Sequence, residues 1–102
     1  SKNYLYLSKK QKRGSIIGDD LRKELSNKPV MNANVLDYLL AHPELIPEDW
    51  KGKHVFFWGT IYRGSSNHLY VRYLDWTISE LCWGYSQLGL HFDSADPAAI
   101  QV

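Results

Sequence analysis

The sequence predicts an α+β fold in which two N-terminal helices and a short helical turn pack on an antiparallel β-meander of three to five strands. Residues 54–88 hold three runs rich in aromatic and β-branched residues, His54 to Arg63, His68 to Trp76 and Leu81 to Leu88. They are separated by the polar breaks Gly64-Ser-Ser-Asn67 and Thr77 to Glu80. Ahead of them, apolar residues recur at helical spacing. At 102 residues and 44% hydrophobic, the chain can bury one modest core without disulfide or metal staples, so a single domain spanning residues 1–102 is expected.

Taken in order, Asn3 to Leu7 alternates and is β-prone, which predicts a short edge strand. Between Ser15 and Asn27, Ile17, Leu21 and Leu25 fall four apart on one helical face. Asp19 and Asp20 occupy the first turn, where the helix dipole favours acids, and Asn27 before Lys28-Pro29 is a stop signal. A second helix begins at Asn32 or Asn34, either a good cap, and Asn34 with Asp37 forms a weak capping box. Val35, Leu36, Leu39 and Leu40 give that helix a wide apolar face, and Pro43 ends it. Pro47 to Lys51, followed by Gly52, reads as one helical turn that tucks Trp50 under the sheet. The domain thus divides into a basic segment with a helix (1–30), a second helix and turn (31–53), and an aromatic meander with its tail (54–102).

The stretch Pro43-Glu-Leu-Ile-Pro-Glu-Asp-Trp-Lys-Gly-Lys53, running into Phe56-Phe-Trp-Gly-Thr-Ile-Tyr-Arg63, resembles a group of small uncharacterised bacterial proteins that share this block and a Tyr/Trp-rich tail. The resemblance covers residues 31 to 99. That group carries no assigned activity, so the resemblance implies nothing about chemistry. Met31, the single methionine, is either a core residue or the point where a shorter related chain begins, with the first thirty residues as an appended element.

Register decides what the meander displays. A turn at Ile78-Ser79, or a loop over Thr77 to Glu80, pairs Trp76 with Leu81, Leu74 with Trp83, Arg72 with Tyr85 and Tyr70 with Gln87. One face then carries Tyr70, Arg72, Leu74, Trp76, Leu81, Trp83 and Tyr85, and the other Leu69, Val71, Tyr73, Cys82, Gly84 and Leu88. In the first hairpin a four-residue loop sets Phe57 and Ile61 beside Tyr70, whereas a five-residue loop sets Phe56, Trp58 and Tyr62 there; the second is favoured. Both faces are apolar, unlike a sheet with one wet side. Three coverings fit this: the N-terminal segment and the tail from Gly89 to Val102, a second copy or other protein, or a base or sugar stacked on Trp and Tyr.

Charge and chemistry narrow the function. Residues 1–28 hold eight basic against three acidic side chains, and residues 29–102 four against eight, which recovers the net +1. The cluster Lys9, Lys10, Lys12 and Arg13 is read as a solvated loop, and a pI of 7.8 gives no support to a strongly electrostatic nucleic-acid binder. One cysteine excludes an intrachain disulfide, and no CxxC or HExxH spacing suggests a metal. With no membrane-length apolar run and no secretory leader pattern, a cytoplasmic location without membrane contact is expected.

Cys82 lies mid-strand and reads as a buried small hydrophobe, while His42, His54, His68 and His91 sit at strand ends or breaks. Asp75 with Glu80, and Asp93 with Asp96, flank turns. Gly14 to Gly18 lacks the spacing of a phosphate loop. The sequence therefore predicts a non-catalytic binding module without cofactor, acting through protein contacts or self-association. Its expected site is Tyr70, Arg72, Trp76, Trp83, Tyr85, Trp58 and Arg63. The alternative is nucleic-acid or saccharide binding by stacking on Trp and Tyr, with Arg63 and Arg72 as polar partners.

Overall fold

The computed structural model describes residues 3–101. Residues 1, 2 and 102, at the ends of the basic segment and of the tail, lie outside the described residues. The chain forms strands β1 (Asn3–Tyr6), β2 (Ser15–Ile17), β3 (His54–Phe56), β4 (Tyr62–Arg63), β5 (Leu69–Trp76), β6 (Leu81–Gln87), β7 (His91–Asp93) and β8 (Ala98–Gln101). Helices α1 (Lys9–Arg13), α2 (Gly18–Glu24) and α3 (Ala33–Ala41) alternate with 3-10 turns at Leu25–Asn27, Pro43–Leu45 and Glu48–Trp50. The class is mixed α and β with mostly antiparallel pairing, as expected, but with more and shorter elements. No helix among the described residues is long and apolar enough to cross a membrane.

The N-terminal third departs most from the expectation. The basic cluster is not a loop but helix α1. The Ser8 hydroxyl accepts from the Gln11 N–H, and the Gln11 side chain accepts in return from the Ser8 N–H, a complete capping box. Gln11 is buried and its amide donates to the Asp93 and Asp96 carbonyls, which ties α1 to the tail, while Lys9, Lys10, Lys12 and Arg13 face solvent. The predicted first helix keeps Leu21 and Leu25 buried, but its first turn is instead strand β2, paired with β7. Gly18 sits where a side chain would strike the Leu88 carbonyl at 2.4 Å, so only glycine lets α2 start against the end of β6.

In the middle, the expectations for α3 and the helical turn hold. Asn32 is the cap, its side chain accepting from the Asn34 and Val35 N–H groups, so the alternative cap at Asn34 falls away. Trp50 is fully buried, and Gly52 beyond it takes a left-handed φ of 80°.

The main sheet runs β1-β8-β3-β5-β4, with β6 on the other side of β5. The tail divides. β7 pairs with β2 and with it covers one face of the sheet, the covering by the N-terminal segment and tail among the three that the sequence allows. β8 instead enters the sheet itself between β1 and β3, touching β3 in parallel at Ala98 and Phe56. Residues 1–30 are thus woven in rather than appended. Met31 is a core residue whose N–H donates to the Ala99 carbonyl.

The sheet separates two cores. On one side Met31, Leu36, Leu39, Ile46, Trp50, Val55, Phe57 and Leu74 pack under α3 and the 3-10 turns; on the other Ile16, Leu21, Phe56, Trp58, Val71, Leu88 and Phe92 pack under α2 and the β2–β7 pair. The core position of α3 sets a stability test. Leu36→Asp, at a fully buried position, should unfold the domain or nearly so, since a buried unpaired charge costs several kcal/mol against a total of ~5–15. Leu40→Asp, at a half-buried position, should lower the urea midpoint by a clearly smaller amount; equal midpoints for the two would contradict this packing.

Candidate functional site

The β5–β6 hairpin has the expected register, with Trp76 opposite Leu81, Leu74 opposite Trp83, Arg72 opposite Tyr85 and Tyr70 opposite Gln87. Alternation therefore places Tyr70, Arg72, Trp83 and Tyr85 on the α3 side of the sheet. The helix covers only part of that face. On β5 Leu74 and Trp76 join the core, whereas across the hairpin on β6 the cover stops and Trp83 and Tyr85 are left 46% and 49% exposed.

The first run splits in two. Phe56 pairs with Tyr73 and Tyr62 with Tyr70, so six positions along this row match only three along β5, and the 57–61 segment bulges out. Tyr62 consequently stands beside Tyr70 as expected for the five-residue loop, but Phe56 and Trp58 do not. Trp58 lies on the opposite face, 5% exposed among Phe56 and Phe92, so it is a core residue and not part of this surface. Gly59 and Thr60 explain the bulge: the Gly59 N–H donates to the Met31 carbonyl, and the Thr60 hydroxyl accepts from the Ala33 N–H at 2.9 Å.

On the exposed end Tyr85 is a hub, edge-on to Tyr62 at 5.5 Å, Tyr70 at 6.2 Å and Trp83 at 5.3 Å between ring centres. Tyr62, Arg63, Gly64, Ser65, Tyr70 and Tyr85 line an open groove of about 370 Å³. Arg63 is exposed at its rim and donates to the Asn67 side chain at 2.8 Å, across a turn in which Asn67 has a left-handed φ of 68°. Trp76 stands apart from this groove, half-buried against the α3-side core with the Lys51 ammonium 4.7 Å from its ring centre.

Arg72 corrects the sequence reading. Arg72 was expected among the contact residues of the site, yet it is only 7% exposed. It donates to Asp37 Oδ1 at 3.0 Å, an acid supplied by α3. Its guanidinium carbon lies 4.2 Å from the centre of the Trp83 ring. Burial pulls its pKa down, but the Tyr62 hydroxyl and the Asp37 carboxylate outweigh that and hold it above the ordinary value, so the group stays charged. Arg72 is a pedestal for Trp83 rather than a contact residue. Asp37 and Tyr62 complete the site; Tyr62 follows from the loop length, whereas nothing in the sequence near Arg72 points to Asp37.

A second polar cluster lies on the other face. His54 Nδ1 is 3.2 Å from Asp96 Oδ1 and its Nε2 is 4.0 Å from Asp75 Oδ2, an oxygen that also accepts from Cys82 Sγ at 3.9 Å. Cys82 is half-buried rather than buried, and burial together with Asp75 and Glu80 raises its thiol pKa, which disfavours the thiolate. Burial also raises the Asp96 carboxyl, while its Oδ2 accepts the Asp93 N–H at 2.9 Å in a local turn. Among the described residues no group of three or more His, Cys, Asp or Glu side chains is arranged to hold a metal ion.

The pedestal can be tested directly. Asp37→Ala should cost about 1–2 kcal/mol in urea unfolding, since the acid is largely exposed although the guanidinium is not. Arg72→Lys keeps the charge but loses the planar stack, and should shift and broaden the Trp83 indole N–H resonance. An unchanged Trp83 signal would show that the indole is held by other contacts. No protein-family model, curated protein or solved structure matches the chain, so the reading of this site rests on its own geometry.

Proposed function

We propose that the protein is a non-catalytic binding module that engages a protein partner through the aromatic end of its sheet: Trp83, Tyr85, Tyr62 and Tyr70, with Arg63 at the rim. The observation that carries this reading is that Trp83 and Tyr85 remain about half exposed while each is locked by neighbours, Trp83 on Arg72 and Tyr85 by three edge-on rings. Large aromatic side chains already fixed in place lose little freedom on binding, which is why Trp and Tyr dominate interface energetics.

Stacking of a nucleic acid on the same rings is less well supported. Arg72 is neutralised by Asp37, which leaves Arg63 as the cation of the groove. Helix α1, which carries the exposed basic residues, packs with β2 and β7 on the opposite side of the sheet. A strand of phosphates would find little charge where the rings are.

Trp83→Ala combined with Tyr85→Ala should keep the melting temperature within a few degrees of wild type, because both rings are half exposed, and should abolish affinity capture of the protein partner. Replacing Lys9, Lys10, Lys12 and Arg13 together by Gln should leave capture intact. Binding of a single-stranded oligonucleotide that weakens steeply with salt, and disappears in the Gln variant, would favour the nucleic-acid reading instead.

A further inference from the structure

Strand β6 is an outer strand: it pairs with β5 along its length and, among the described residues, with nothing else. Its register shows which groups are left over. The Leu88 N–H donates to the Leu69 carbonyl and the Thr77 N–H to the Glu80 carbonyl, so Cys82, Gly84 and Ser86 are the residues bonded to β5 between them. The backbone groups of Leu81, Trp83, Tyr85 and Gln87 point away from the sheet. Outer strands of monomers are protected by lysine, proline, a bulge or shortness. β6 is seven residues long and contains neither a charge nor a proline.

We propose that β6 pairs antiparallel with β6 of a second copy of this chain, about a two-fold axis at Gly84. This axis sets Trp83 opposite the second copy's Tyr85 and Leu81 opposite its Gln87. All four are outward-facing residues, so each pair exchanges both backbone hydrogen bonds, and no other centre on the strand uses all four. The strand is therefore complementary to itself, which is what a closed isologous contact requires. The pair on the axis is of the close kind, ~4.5 Å between Cα atoms, and it falls on glycine. Gly84 is also covered from within its own chain by Tyr73, whose hydroxyl would lie 2.6 Å from any Cβ there.

The inference goes beyond the partner reading above: it concerns the outer edge of the sheet beside the aromatic face, not the occupant of that face. Joined this way, the two aromatic ends lie on one side of a continuous sheet and form a single surface. A one-strand contact falls short of the ~800 Å² per partner of a standard interface, so the dimer should dissociate on dilution.

Ser86→Cys tests both the pairing and its register. Ser86 lies opposite the second copy's Cys82 in the close type of pair, where Cα separations suit a disulfide, and it faces away from Trp83 and Tyr85. At concentrations where light scattering shows the wild type to be dimeric, diamide should convert Ser86→Cys to a covalent dimer. Wild type should not cross-link, its two Cys82 thiols being four residues or ~13 Å apart, and Ser79→Cys at the exposed hairpin tip should react slowly. A wild type monomeric at every concentration, or a Ser86→Cys variant no faster than Ser79→Cys, overturns the proposal. If partner capture persists in either case, the aromatic face stands without the dimer. Rapid cross-linking of Ser86→Cys alongside unchanged capture by the Trp83→Ala, Tyr85→Ala pair supports the edge and removes the face.

Discussion

Strand β5 has to serve two hydrophobic cores at once, and the rest of the molecule follows from that constraint. Val71 and Tyr73 belong to the core under α2, Leu74 and Trp76 to the core under α3. A slip of one residue would exchange the two sets and carry Arg72 into the α2-side core, away from Asp37. The hairpin with β6 fixes the register on one side of β5, and the broken row of β3 and β4 fixes it on the other. The break is not a defect of that row. Gly59 and Thr60, pushed out by it, hold Met31 and Ala33 at the start of α3. One turn further on, α3 delivers Asp37 to Arg72, and the neutralised guanidinium supports Trp83. The exposed aromatic end is thus the last link of a chain that starts with a bulge on the far side of the same strand.

The sequence makes some of these links visible and hides others for physical reasons. The β5–β6 register is legible because a two-residue turn and a four-residue loop give the same pairing, so the ambiguity is harmless. The first run is not legible, because the extra residues between Phe56 and Tyr62 are accommodated by contacts with α3 that lie more than twenty positions away in the chain. Trp58 is misplaced for that reason: alternation counted back from the loop through a bulge assigns every earlier side chain, Phe56 included, to the wrong face. Arg72 fails differently. Its ion pair spans 35 positions, and a search for neighbouring acids along the strand cannot reach α3. Helix α1 was within reach, since Ser8-Lys-Lys-Gln11 is a capping-box pattern that its four surrounding charges obscure.

The electrostatics of the aromatic end follow the same economy of parts. Burying a guanidinium is unfavourable unless it is paired. Here the Tyr62 hydroxyl and the largely solvated Asp37 carboxylate hold the charge and an indole face covers one side of the group, while its Nε–H is left buried without a partner. The arrangement fixes a tryptophan at the surface without burying it. A lysine in place of Arg72 could satisfy Asp37 but not the ring, so the planar group is what links the acid to the aromatic.

The two ends of the chain are interleaved, β1 with β8 and β2 with β7, and this has a consequence for how the molecule is made. Until residues 91–101 exist, the first two strands have no partners and Gln11 has no carbonyls to bind. Closing a loop across nearly the whole chain is entropically costly, and topologies dominated by such contacts fold slowly. On the ribosome the segment from β1 to α2 therefore waits, unpaired, for the last strands to emerge, and the sheet closes only after synthesis has passed its final strand.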